Sequence, residues 1–148
     1  MKFALLILLI GAAASAAIHC VTIAGIGGEP DYEQRFANWA KDIDKTWKAA
    51  PETKSEVLSG PDATKTKVRE VLERLARDSK PQDILIVALL GHGSFDGQEY
   101  KFNIPGPDLS AIELASLLDR IPSAKQMILN ATSASGHRST PYNAQTAP

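Results

Sequence analysis

The strongest structural signal in the sequence is an uninterrupted apolar run, ILIVALL, at residues 84–90. An extended strand with this sequence is apolar on both faces, which is typical of a central parallel strand covered by helices on two sides. Shorter runs predict further strands at residues 20–26, 56–58 and 126–129. The chain is therefore expected to build a sheet around residues 84–90.

Amphipathic stretches separate these predicted strands. Residues 32–48 predict the first helix, an N-cap at Asp62 or Thr64 opens the second, and a capping box at residues 110–113 opens the third, which runs to Leu118. The apolar positions of the first two helices are Phe36, Trp39, Ile43 and Trp47, then Val68, Val71, Leu72 and Leu75. We expect both tryptophans to lie in the core. The βαβαβαβ order predicts a mostly parallel sheet with right-handed crossovers, and hence a three-layer α/β/α sandwich.

Residues 1–17 have the pattern of a secretory signal peptide. A lysine is followed by an apolar run and by small residues that end in Ser15-Ala16-Ala17, which suits cleavage near Ala17. A membrane anchor is the alternative, but the uncharged run is shorter than the ~20 residues that span the hydrocarbon core. Lipidation at Cys20 is disfavoured because His19 occupies a position that requires a small residue. We expect a secreted or periplasmic protein without stable membrane insertion.

The composition excludes several kinds of binding site but does not indicate a particular function. Apolar residues make up 44% of the 148-residue chain and charged residues 22%, which is ordinary for a globular domain. A net charge of −1 gives no basic footprint, so nucleic acid is not expected as a partner. A single cysteine, Cys20, can form neither an internal disulfide nor a thiolate metal site. Residues 24–28 lack the third glycine of a dinucleotide-binding loop, and neither a cofactor nor a metal is predicted.

Two loops at the ends of predicted strands carry the chemistry. His92 lies between two glycines after the central strand, and Ser133 lies in a turn after the last strand. Each feature alone also fits an ordinary turn without a role. If the two strands are neighbours, both residues emerge at the same edge of the sheet, where ligands bind in parallel α/β folds. An imidazole and a hydroxyl that converge there could act as base and nucleophile.

The loops resemble those of the caspase–hemoglobinase superfamily of cysteine peptidases, and most closely its legumain branch. The His-Gly pair His92-Gly93 matches the motif of the catalytic histidine, and residues 133–136 (SASG) match the turn of the catalytic cysteine, with Ser133 in its position. The approach to the third helix, residues 105–109 (PGPDL), is also similar. The resemblance covers residues 18–136 and implies a caspase-like α/β fold. It also implies an oxyanion site at the backbone N–H of Gly93.

Four positions depart from the legumain pattern. Ser133 replaces the thiol, and Gly27 stands where the family has an asparagine that orients the histidine. Ala131 and Glu33 replace an acidic residue and an arginine of the substrate pocket. A serine needs a well-placed base, an orienting group and an oxyanion hole before it is a useful nucleophile. Cleavage after asparagine, as legumains perform it, is therefore not expected.

The chain is expected to comprise a leader at 1–17, the legumain-like domain at 18–136 and a disordered tail at 137–148. The family's sheet continues beyond the nucleophile turn, so the resemblance implies an incomplete domain. Two functions remain open. The first is a catalytically impaired domain that binds a peptide or protein at the ends of the strands. The second is an active serine hydrolase with a dyad of His92 and Ser133.

Overall fold

The computed structural model describes residues 15–133, so most of the predicted leader and the whole predicted tail lie outside the described residues. The elements in chain order are β1 (Ile18–Ala24), α1 (Pro30–Lys48), β2 (Thr53–Leu58), a 3₁₀ turn (Gly60–Asp62), α2 (Lys65–Asp78), β3 (Ile84–Gly91), β4 (Gly93–Phe95), β5 (Tyr100–Phe102), β6 (Leu109–Ser110), α3 (Ala111–Leu118) and β7 (Lys125–Thr132).

The main sheet is parallel and has the strand order β2-β1-β3-β7. Strand β3 is an inner strand, as its two apolar faces predict. Side chains alternate across the sheet, so Val21, Ile23, Leu85, Val87 and Leu89 pack with α2 and α3 on one face. On the other face, Ala24 and Leu90 pack against Phe36 and Ala40 of α1. The structure confirms the predicted three-layer α/β/α architecture.

The helix signals are confirmed in detail. All four stripe residues of α2 are buried, and the Thr64 hydroxyl accepts from the Lys67 N–H, so Thr64 rather than Asp62 caps the helix. Both hydrogen bonds of the capping box at α3 are present, between Ser110 and Glu113. No helix within residues 15–133 is long and apolar enough to cross a membrane.

Several details of the sequence prediction were wrong. Strand β1 starts and ends two residues earlier than predicted, and the Ile26 N–H bonds to the Asn103 carbonyl instead of to β3. Strands β2 and β7 are longer than the predicted ranges 56–58 and 126–129. Neither tryptophan lies in the core as predicted: Trp39 is 47% exposed, with its ring 5.9 Å from that of Phe36, and Trp47 is only partly buried. A small antiparallel sheet, ordered β4-β5-β6, also follows β3 where the sequence indicated only a loop.

Candidate functional site at the ends of β1, β3 and β7

The chain reverses its direction of travel across the sheet between β1 and β3. From β1 it moves to β2 on one side, and from β2 it returns across β1 to β3 on the other. The crevice at the carboxyl ends of such strands is the usual ligand site of an open parallel sheet. At this edge the backbone after β1 stays close to β3, since the Gly25 N–H donates to the Leu90 carbonyl at 2.8 Å. Gly91, at φ +143°, allows the chain to turn out of β3 there.

The structure brings His92 and Ser133 together. Their strands are neighbours, and the register pairs Gly91 with Thr132, so the next residue of each strand emerges at the same edge. His92 Nδ1 lies 3.3 Å from Ser133 Oγ. The Gly93 N–H also donates to Ser133 Oγ, at 3.4 Å. The pairing of β3 with β7 therefore brings the two side chains into contact.

Aromatic rings hold the imidazole of His92. The Tyr32 and Phe36 rings of α1 each meet it edge-on, both at 5.3 Å between centroids. The Asn103 N–H donates to the His92 carbonyl at 3.0 Å and fixes the backbone. Within residues 15–133, the structure records no hydrogen-bond partner for His92 Nε2. Among the described residues, the ring is therefore positioned by two aromatic contacts and by the contact of Nδ1 with Ser133 Oγ.

The turn at Gly27 excludes a side chain. A Cβ added there would lie 2.4 Å from the Glu33 nitrogen and 2.7 Å from the Tyr32 carbonyl carbon, both backbone atoms. The Glu33 carboxylate accepts from the Gly27 N–H at 2.9 Å, so it closes this turn. Gly27 and Glu33 thus form a local structure beside His92, in the place where the resemblance implies an orienting residue and a pocket residue.

Tyr100 links the two loops and was not identified from the sequence. Its hydroxyl hydrogen-bonds the buried Thr132 hydroxyl, which donates in turn to Asn130 Oδ1 at 2.8 Å. The same tyrosine fills the space over Gly93, where an added Cβ would lie 2.6 Å from its ring. Tyr100 therefore fixes the residues that precede Ser133 and follow His92. No pattern marked it, because strand β5 is only three residues long.

A cavity of about 740 Å³ lies beside this site, between the ends of β1 and β2 and the start of α1. Gly25 and Phe36 line its inner side, and Glu33, Gln34 and Lys41 are among its polar lining residues. Neither His92 nor Ser133 lines it. Of the predicted pocket residues, Glu33 therefore faces this cavity, whereas Ala131 is exposed on β7.

Cys20 lies away from the dyad and cannot replace the missing thiol. It is 1% exposed near the amino end of β1, and burial raises the pKa of its thiol to about 11. Among the residues that the structure describes, no group of three or more His, Cys, Asp or Glu side chains could hold a metal ion.

Comparisons with known proteins give a fold neighbour and no family. No family model and no curated protein matches the chain. Among solved structures, the protein GSU0716 from Geobacter sulfurreducens superposes with a TM-score of 0.54 at 17% identity. The match covers 78% of this chain and 49% of that one, so this chain spans about half the length of that protein. At this identity the likeness shows a shared α/β fold alone.

Proposed function

We propose that this chain is an exported, legumain-like domain that binds a peptide or protein segment at the His92–Ser133 site and hydrolyses it poorly or not at all. The order and spacing of the His-Gly and Ser-Ala-Ser-Gly loops support the family, and their contact in the fold is compatible with it. The observation that carries the functional part is the closed turn at Gly27, which has no room for an orienting side chain.

No side chain within residues 15–133 accepts a hydrogen bond from His92 Nε2, and the loss of such an orienting group has a large effect on catalysis. In serine peptidases a polar group accepts from one imidazole nitrogen and so holds the other as a base toward the hydroxyl; spoiling that arrangement lowers kcat about 10⁴-fold. Tyr32 and Phe36 fix the ring of His92 here, but aromatic edges do not select its tautomer. A thiol tolerates this loss better than a hydroxyl, because it is partly ionised at neutral pH.

The groups at the site remain suited to binding. The Ser133 hydroxyl can donate and accept, His92 offers a ring nitrogen, and the adjacent cavity can receive a side chain. A peptide backbone presents N–H and C=O groups that match these partners.

A serine hydrolase is the second candidate, and the 3.3 Å contact between His92 Nδ1 and Ser133 Oγ favours it. In this mechanism His92 removes the hydroxyl proton and Ser133 attacks an amide or ester carbonyl. The N–H groups of Gly93 and Ser133 would then hold the oxyanion. The Gly93 N–H now points at the nucleophile itself, so it has to turn to the carbonyl oxygen as the intermediate forms.

A fluorophosphonate probe separates the two functions. We expect the folded wild-type protein to remain unlabelled under conditions that label an active serine hydrolase. Labelling that disappears in Ser133→Ala, while a Gln98→Ala control still reacts, would establish the hydrolase instead.

Peptide binding is tested directly with a phage-displayed decapeptide library selected on the wild-type protein. The enriched peptides are then measured by fluorescence anisotropy. We expect His92→Ala to weaken binding at least tenfold, which corresponds to about 1.4 kcal/mol, and Gln98→Ala to leave it unchanged. Equal affinity for the wild type and His92→Ala would remove the site from the proposal.

A further inference from the structure

Ala17 is the first residue from Ser15 onward whose backbone is hydrogen-bonded into the fold. Its N–H donates to Asp83 Oδ1 at 2.9 Å, and its carbonyl accepts from the Ile84 N–H at 2.9 Å. Ser15 and Ala16 are exposed, whereas Ala17 is half-buried. The chain therefore joins the sheet one residue before β1 begins.

Asp83, which receives the Ala17 N–H, is a buried carboxylate that is only 4% exposed. Its other oxygen accepts from the Lys80 N–H at 2.9 Å and faces His19 Nε2 at 3.3 Å. The Lys80 amide and then the Ala17 amide lower the pKa of Asp83, so this carboxyl is ionised. Within residues 15–133 its ion-pair contact is with the His19 imidazole, and no lysine or arginine side chain pairs with it. A buried charge is costly unless it is paired and hydrogen-bonded, so a further cationic group beside Asp83 would be favourable.

A cavity of about 370 Å³ opens beside Ala17 and Asp83. Its other charged lining residues are Glu52, Lys54, Asp78 and Lys80, and His19 also lines it. The cavity is lined by three carboxylates and two lysines, and the Ala17 nitrogen at its wall lies 2.9 Å from Asp83 Oδ1. It also has room for the additional N–H groups of an amine at Ala17.

We propose that the mature protein begins at Ala17, whose α-ammonium group forms an ion pair with the buried Asp83 carboxylate. This inference rests on the proposed export and gives the leader a defined end. A peptidase that cleaves after small residues adds one water across the Ala16–Ala17 bond. The reaction leaves a carboxylate on Ala16 and an amino group on Ala17, which takes up a proton.

The sequence alone does not choose between neighbouring bonds. Cleavage after Ala16 and cleavage after Ala17 both leave small residues at the positions that the peptidase reads. Cleavage after Ala17 would remove the hydrogen bonds to Asp83 and from Ile84. Cleavage after Ala16 keeps both and places a positive charge 2.9 Å from an Asp83 carboxylate oxygen.

The first test is the intact mass and amino-terminal sequence of the full chain after secretion from a bacterial or eukaryotic host. We expect a secreted protein that starts at Ala17. A secreted protein that starts at Ile18 or elsewhere would overturn this inference and leave export intact. An uncleaved protein that stays in the cell would overturn export as well.

The second test measures how fast an N-hydroxysuccinimide ester acylates the α-amine of the secreted protein at pH 7. An ion pair that raises the amine's pKa by one unit leaves roughly tenfold less free amine. We therefore expect acylation roughly tenfold slower than in Asp83→Asn, or than in wild-type protein in urea if that variant does not fold. Equal rates in the native and reference states would overturn the ion pair.

Discussion

At the scale of single residues, Gly27 is a position with no room for a side chain. The turn after β1 packs so closely against the start of α1 that an added Cβ would lie 2.4 Å from the Glu33 nitrogen. Because the opposing atoms are backbone, no side-chain rotation relieves the clash. Tyr32, whose ring contacts His92, also borders this turn.

We predict that Gly27→Asn destabilises the protein by about 1–3 kcal/mol, as overpacking does. It should also fail to make Ser133→Cys an active peptidase, because the asparagine has no room to reach His92. Urea denaturation and a peptidase assay of the double variant measure the two effects. Gly97→Ala is the control, since nothing lies within 4 Å of a Cβ added there. Its φ of +93° disfavours alanine, so we expect this change to lower the free energy of unfolding by about 1 kcal/mol. Stable, active Gly27→Asn/Ser133→Cys protein would show that the turn can open.

Cys20 is expected to be inert in the folded protein, because burial raises the pKa of its thiol to about 11 and shields it from reagents. Iodoacetamide at pH 8 should leave the native protein unmodified and alkylate one thiol in guanidinium chloride, as intact mass reports. Rapid alkylation of native protein would instead indicate that β1 opens readily.

At the scale of elements, local signals predicted the helices and missed the small sheet. The Ser110–Glu113 capping box is a set of hydrogen bonds within one helix turn, so its residue spacing predicts it. The four apolar residues of α2 face one side of the core, so their helical spacing predicts their burial. Strands β4, β5 and β6 have two or three residues each, too few for an alternating pattern. Their existence depends on tertiary packing, and Tyr100, which joins the two loops of the site, was missed for that reason.

The capping box also connects two helices. The Glu113 carboxylate accepts from the Ser110 N–H, and Lys65 at the start of α2 donates to both of its oxygens, at 2.7 and 2.9 Å. Lys65 is the largest cause of the lowered pKa of Glu113, followed by the Ser110 N–H.

We predict that Ser110→Ala lowers the free energy of unfolding by about 0.5–2 kcal/mol, since the Glu113 N–H loses its acceptor. Ser110→Thr keeps a hydroxyl at the cap and should cost less. Urea titration at pH 7 compares the two. A loss in Ser110→Thr as large as in Ser110→Ala would place the effect in packing rather than in the cap.

At the scale of the whole molecule, the two faces of the sheet are covered unequally. Within residues 15–133, α2 and α3 pack on one face, while α1 is the one helix on the other and lies mainly over β2 and β1. On the α1 side of β7, Met127 is 54% exposed and Leu129 is 42% exposed. Ile128 points the opposite way and packs against the main core.

We predict that Met127→Lys/Leu129→Lys changes the free energy of unfolding by less than about 1 kcal/mol, because exposed positions contribute little to folding. The double variant should bind less of the apolar dye ANS than the wild type. Ile128→Lys, from the buried side of the same strand, should destabilise the protein clearly. Strong destabilisation by the double variant would mean that this face is covered in solution.

The sequence by itself determined the fold class, because the doubly apolar strand at residues 84–90, the helical stripes and the capping box are local patterns that fit one layered arrangement. It also determined that His92 and Ser133 follow strand ends. Only the tertiary structure decided that those strands are neighbours in a register that brings Nδ1 and Oγ to 3.3 Å. Tertiary packing likewise decided that the rings of Tyr32 and Phe36 contact the histidine, and that Ala17 belongs to the fold through Asp83. These contacts join residues distant in sequence, and pairings of that kind leave no periodic pattern along the chain.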